Sequence, residues 1–255
     1  MGKIIMIAAR EGCGKTYETL NYYAGMRTMH EDSKPAVLID TEYKADLTYD
    51  THFKDMPVEI VQCQEFDVDV DKGIVNLNLI KTLNAIRDEV RKAIKLGLRG
   101  EVGLIIFDSM VGLRTPFCEY EWEHEAGKKA MSPDAWKQIN DKVREIVFPL
   151  TNIAKLREHV DVIITAAIID RYEVIDKRTG VSQIVGEELG VKDWLAFQVQ
   201  YIVELQKNKK KLEYTATVTK SPRGMFELDH ATLFNKSGIK WDDKDNYNSL
   251  YYHLL

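Results

Sequence analysis

Residues 3–16, KIIMIAAREGCGKT, set the strongest constraint on what this chain can fold into. Lys3 to Ala9 is a short continuous apolar run, the pattern of a strand buried on both faces. Lys15 to His30 reads as a helix. Between them Gly12 and Gly14 keep the tip of a short loop free to take conformations closed to other residues. A strand that turns directly into a helix through such a loop gathers free backbone N–H groups at the positive end of the helix dipole. The segment from Ala9 to Thr16 follows G-x-x-x-x-G-K-[ST] with alanine in place of the leading glycine. Alanine, the next smallest residue, allows the same exit from the strand while φ stays negative.

These parts suit a polyphosphate. Backbone N–H groups curl round the β-phosphate, Lys15 reaches the β/γ oxygens, and the Thr16 hydroxyl serves Mg²⁺. The expected nucleotide contacts are Ala9, Arg10, Glu11, Gly12, Cys13, Gly14, Lys15, Thr16 and Tyr17. Without a bound anion, Lys15 would be an unwelcome charge at the start of a helix.

The chain has 255 residues, 45% of them hydrophobic and 29% charged, which is ordinary for a globular protein with a sizeable core. Its apolar runs are strand-length and interrupted by charge, and the first strand begins almost at once. Neither a transmembrane helix nor a signal peptide is expected, so a cytoplasmic protein without a membrane partner is. Cys13, Cys63 and Cys118 are far apart and lack C-x-x-C spacing, which predicts reduced thiols and no zinc site. The net charge of -5 requires any nucleic-acid surface to be local.

Further along, Ser33-Lys34-Pro35 predicts a turn before a buried strand from Ala36 to Asp40, and VEIVQC, from Val58, a further strand. Leu79, Leu83, Ile86, Val90 and Ile94 form a helical stripe ended by Gly97 or Gly100. VGLIIFDSM and VDVIITAAIID read as buried strands. Ser132-Pro133-Asp134 starts a long helix that Pro149 is expected to kink or break. FQVQYIVELQ and KLEYTATVTK predict an antiparallel hairpin about the basic turn from Lys207 to Lys210. Alternating strands and helices imply a single α/β domain over 1–240, a mostly parallel sheet flanked by helices and extended by the late antiparallel hairpin. An acidic, aromatic tail over 241–255 is expected to dock on the domain or on a neighbour, or to fray. The segments Arg114 to Met131 and Arg171 to Lys192 show no firm element and read as functional or mobile loops.

A Mg²⁺-dependent site needs a carboxylate at the end of a second strand, and LIIFDS supplies Asp108, with Ser109 beside the metal or the γ-phosphate. No glutamate follows Asp108. The group that orients or deprotonates water is expected from VLIDTEYKAD, where Glu42 can project from the neighbouring strand. In these ordered motifs the chain resembles the RecA superfamily of P-loop ATPases, from Lys3 to roughly Leu228. Among them it is similar to the short RecA-like cores of phages and archaeal viruses, including those associated with single-strand annealing and recombination.

The resemblance implies ATP and Mg²⁺ as cofactors, Lys15 and Glu42 as catalytic residues, and a homo-oligomer with ATP between subunits. In VTKSPRG it implies that Lys220 and Arg223 reach the neighbour's γ-phosphate; the other reading is a solvated hairpin end. Thr165 stands near the place of a γ-phosphate-sensing glutamine. The family's polymerisation segment before the core has no counterpart ahead of Lys3, so an oligomer is expected to use other surfaces. Single-stranded DNA would meet Arg171, Tyr172, Lys177 and Arg178, which mix basic and aromatic side chains, unless this stretch is a β-hairpin lid. The acidic surroundings of Trp122 argue against DNA in the other long loop. The alternative is a RecA-like motor or switch acting on a protein partner, in packaging or assembly, which the acidic balance favours.

Overall fold

A computed structural model describes residues 2–30, 32–124, 132–176, 181–208, 213–222 and 249–254. The strands are β1 Ile4–Ala9, β2 Ala36–Asp40, β3 Val58–Gln62, β4 Phe66–Asp69, β5 Ile74–Leu77, β6 Leu104–Asp108, β7 Asp161–Asp176, β8 Val181–Leu189, β9 Tyr201–Asn208 and β10 Glu213–Lys220. The helices are α1 Lys15–Met29, α2 Ala45–His52, α3 Leu79–Arg99, α4 Met110–His124, α5 Pro133–Leu156, α6 Asp193–Gln198 and α7 Leu250–His253. The main sheet has the order β10-β9-β1-β7-β6-β2-β3, with β8 paired to β7, while β4 and β5 form a separate ribbon. All pairings from β9 across to β3 are parallel, and β8 and β10 join antiparallel. This is the expected α/β architecture, a mostly parallel sheet flanked by helices with an antiparallel hairpin.

The alternation of side chains along a strand divides the core in two. Ile4, Met6 and Ala8 face the layer holding α3, α4 and α5, whereas Ile5, Ile7 and Ala9 face α1. Since both faces are covered, β1, β2 and β6 are buried throughout, which is why they read as unbroken apolar runs. The stripe on α3 buries Leu83, Ile86, Val90 and Ala93, and the helix ends at Gly100, whose φ of 71° is left-handed. On α5 the Ser132 side chain caps the first turn by accepting from Ala135 N at 3.2 Å.

Several local expectations change. The helix α5 continues through Pro149 to Leu156, because Ile146, Val147, Leu150 and Ile153 on either side of the proline are buried against the sheet. Residues 110–124 are helical despite Pro116, so the first long segment is not a loop as far as His124. The second is not a loop but an arm of two antiparallel strands, as its other reading, a β-hairpin, has it: β7 runs on beyond the sheet and β8 returns along it. In the late hairpin only β10 is antiparallel to its neighbour in the sheet; β9 lies parallel to β1, because α6 crosses over before it.

Residues 249–254 pack against α1. Leu250 and Ser249 are fully buried, Ser249 Oγ donates to Asn21 O at 2.8 Å, and the Tyr251 ring meets Tyr22 edge-on at 5.1 Å. Gly25 permits this approach, since a Cβ there would lie 2.5 Å from Ser249 Oγ. Beneath them the Glu18 carboxyl accepts from Leu250 N at 3.0 Å and from Asn21 Nδ2. Burial raises the Glu18 pKa to about 8, against the lowering by those two donors. The folded chain therefore holds one more proton than the unfolded chain from the ordinary carboxyl value up to about 8. Stability should fall as pH rises through that window, by about 1.4 kcal/mol per pH unit from this group. Glu18→Gln should flatten that part of a plot of urea midpoint against pH. An unchanged slope would mean that the buried carboxyl is ionised in the fold.

Candidate nucleotide site

The loop between β1 and α1 sits outside the carboxyl ends of the parallel strands, where open α/β sheets bind ligands. Gly12 and Gly14 have φ of 73° and 79°, left-handed values that a side chain at either position would strain. Ala9 closes β1, fully buried and in register with Ala167 and Leu205, so a small residue suffices there. Gly14 O accepts from Glu18 N at 2.9 Å and opens the helix. Lys15 curls back over the loop, its ammonium donating to the carbonyls of Ala9 at 3.3 Å and Arg10 at 3.5 Å.

Strand ends bring the other groups to the loop. The Asp108 carboxylate accepts from the Thr16 hydroxyl at 2.5 Å and, on its other oxygen, from Thr165 Oγ1. Thr165 reaches it because β7 lies between β1 and β6, with Thr165 beside Ile7. Burial raises the Asp108 pKa, and the hydrogen bonds from Thr16 and Thr165 oppose the rise. A carboxylate and hydroxyls form a hard oxygen set that suits Mg²⁺, which keeps several of its own waters. Thr16 and Asp108 are the residues that would hold the ion.

Glu42 arrives from β2. The Ser109 hydroxyl donates to Glu42 Oε1, while Lys44 Nζ lies 3.1 Å from Oε2 and 3.3 Å from Glu11. Burial pushes the Glu42 carboxyl up, but Ser109, Lys44 and Lys15 together hold it below its ordinary value. It is therefore ionised at neutral pH. The Asp108–Ser109 peptide is cis. Thr41 Oγ1 donates to Ser109 O at 2.9 Å and accepts from Ser109 N at 2.8 Å, joining the two strand ends. Gly112 lets α4 pass over them, since a Cβ there would come within 2.2 Å of Thr41 Oγ1.

Sequence reasoning passed over Asp40. Its buried carboxylate accepts from four backbone N–H groups, those of Glu42 at 2.9 Å, Tyr43 at 2.8 Å, Lys44 at 2.7 Å and Ala45 at 2.8 Å. That cap winds the chain into α2 and holds Tyr43 at a φ of 61°, which a bulky residue rarely adopts. The turn carrying Glu42 is fixed by this one side chain. An aspartate shortly before the start of a helix is the signal that could have found it.

Other expected residues lie as follows. Arg10 points away from the loop to the arm, where Nε donates to Glu187 Oε1 at 2.9 Å and Nη2 also pairs with Asp170. Asp170 and Glu187 face each other across β7 and β8, so Arg10 neutralises a like-charged cross-strand pair. The Tyr17 ring packs against Phe53 at 4.9 Å and His52 at 5.2 Å, between α1 and α2. Lys220 Nζ donates to the carbonyls of Ala196 and Val199, both at 2.7 Å, capping the end of α6 in its own chain. Arg171 and Tyr172 are exposed on the arm. Arg223, Lys177 and Arg178 lie outside the described residues.

No protein-family model matches the chain, and neither does any curated protein. Among solved structures it is similar to the RadB recombinase, with 13% identity over 89% of this chain and 84% of that one and a TM-score of 0.47. It is also similar to a KaiC-like protein from the hyperthermophilic archaeon Pyrococcus horikoshii, with 14% identity over 89% and 83% of the two chains and a TM-score of 0.46.

Proposed function

We propose that this chain is a Mg²⁺-dependent, RecA-like P-loop ATPase that acts on single-stranded DNA in recombination or annealing, in the manner of the short cores of phages and archaeal viruses. Such a protein would work in the host cytoplasm. The observation that carries the ATPase reading is the convergence of Thr16, Asp108, Thr165, Ser109 and Glu42 beside the Gly12–Lys15 loop. Phosphates entering the loop would meet backbone N–H groups, and Lys15 would exchange two carbonyl dipoles for full negative charge, a stronger partner. Thr16 and Asp108 would hold Mg²⁺, which would supply charge neutralisation to the phosphates. Glu42, ionised and aimed by Ser109 and the Asp40 turn, orients the attacking water and takes its proton.

A neighbouring subunit completes the site in this proposal, with Lys220 and Arg223 as the donated cations. For that role Lys220 must leave the carbonyls of α6, which phosphate charge would repay. Arg171 and Tyr172, exposed on the arm, would track the DNA backbone and stack on bases together with Lys177 and Arg178, which lie outside the described residues. One observation favours the second reading, a motor or switch acting on a protein: Phe66, Val68 and Val75 of the β4–β5 ribbon are exposed apolar side chains near the Glu42 turn. ATPase activity measured against protein concentration, with and without single-stranded DNA, separates the two. We expect turnover per subunit to rise with concentration and again with DNA. A rate indifferent to DNA would favour the protein-directed reading, and one indifferent to concentration would remove the shared site.

A further inference from the structure

We propose that a cleft between α4, α5 and the β8–α6 connection binds a nucleobase that carries a phosphate, at a site separate from the nucleotide loop. The cleft, about 670 Å³, is lined by Arg114, Trp136, Lys137, Asn140, Lys192 and Trp194. That volume lies within the range of small-molecule sites. Both indoles are half-buried and rooted in the core behind them, so their remaining faces and edges are offered as a rigid aromatic wall.

Cations accompany both rings. The Arg114 guanidinium lies over Trp136 with its carbon 5.1 Å from the ring centroid, and Arg144 lies over Trp194 at 5.9 Å. Arg114 is under-used by the protein. It makes one long contact to Gly190 O at 3.4 Å and one with the Cys118 thiol, and its Nε–H is buried without a partner among the described residues. Arg114 lines the cleft, and a guanidinium there is a strong partner for a phosphate. Lys137 and Lys192 stand exposed at the rim. Aromatic faces for a base and guanidinium and ammonium groups for a phosphate are the recognition chemistry of nucleotides and single strands. Asp141 and Asp193 also line the cleft and limit its charge, which suits one or a few phosphates better than a long backbone.

This inference does not rest on the ATPase reading, and its test reads binding rather than turnover. The full-length Lys15→Ala protein, in which the nucleotide loop is disabled, is titrated with 5′-hydroxyl oligothymidylate and separately with AMP while tryptophan fluorescence and ligand anisotropy are followed. We expect quenching that weakens with salt. Trp136→Ala and Trp194→Ala should each weaken binding by about 5- to 150-fold, the value of one stacked base. Because a truncated tryptophan can disturb folding, the exposed-residue variant Lys192→Glu is the control, and it should weaken binding and leave the thermal melt unchanged. Binding of the oligonucleotide but not AMP identifies a single strand as the source of the base and phosphate, and AMP alone identifies a free nucleotide; both support the site. No quenching by either ligand, or affinities unchanged by Lys192→Glu and Arg114→Ala, overturns it.

Discussion

Glu42→Gln should leave ATP and Mg²⁺ binding intact and lower turnover by roughly 10²–10⁴, the range of a general base. The substitution is conservative in this geometry, because the Ser109 hydroxyl can still donate to a carbonyl oxygen at the same place. The turn itself is held by Asp40 rather than by Glu42. What disappears is the charge that Ser109, Lys44 and Lys15 keep ionised despite burial. Asp108→Asn should behave differently, weakening Mg²⁺-dependent binding as well, since its carboxylate is the anionic member of the proposed metal set. Pre-steady-state turnover and nucleotide titration of both variants make the comparison. If both lose binding alike, Glu42 is a structural residue and the assignment of the base is wrong.

How far such a site can be read from sequence depends on where its partners lie along the chain. The β1 loop and the start of α1 are contiguous, so the spacing of Gly12, Gly14, Lys15 and Thr16 carries their geometry directly. The Asp108 strand was legible for a different reason: a strand covered on both faces has to be apolar throughout, and the first charge marks its end. Glu42 is read from the end of its strand and from family likeness, but the aspartate that orients it is betrayed only by its place shortly before a helix, which does not tell that its carboxylate gathers four N–H groups. Pairing between distant elements left still less trace. Arg10 meets Asp170 and Glu187 only because β7 and β8 continue beyond the sheet, and an exposed alternation of charged and apolar residues reads equally well as a loop. The α1 helix shows the converse. Its buried Glu18, Asn21 and Gly25 break the amphipathic pattern, because residues 249–254, far along the chain, supply the partners that make them fit.

Lys15→Ala should abolish ATP binding at concentrations that saturate the native chain. The loop's shape does not depend on this side chain: Gly12 and Gly14 hold their left-handed conformations through the backbone, and α1 is anchored by residues buried further along it. A melt should therefore be nearly unchanged, which separates loss of binding from loss of fold. The lysine brings its positive charge onto the loop itself, over the carbonyls of Ala9 and Arg10. With it gone, the carbonyls of Ala9 and Arg10, now covered by its ammonium, would face the phosphates and repel them. The backbone N–H groups and the helix dipole would remain, but alone they balance only about half a unit charge. Arg10 is not a substitute, because Asp170 and Glu187 hold it on the arm. Near-native affinity in a calorimetric titration of the variant would mean that the nucleotide is held elsewhere, and the alanine at position 9 would then mark a loop that keeps its shape without its ligand.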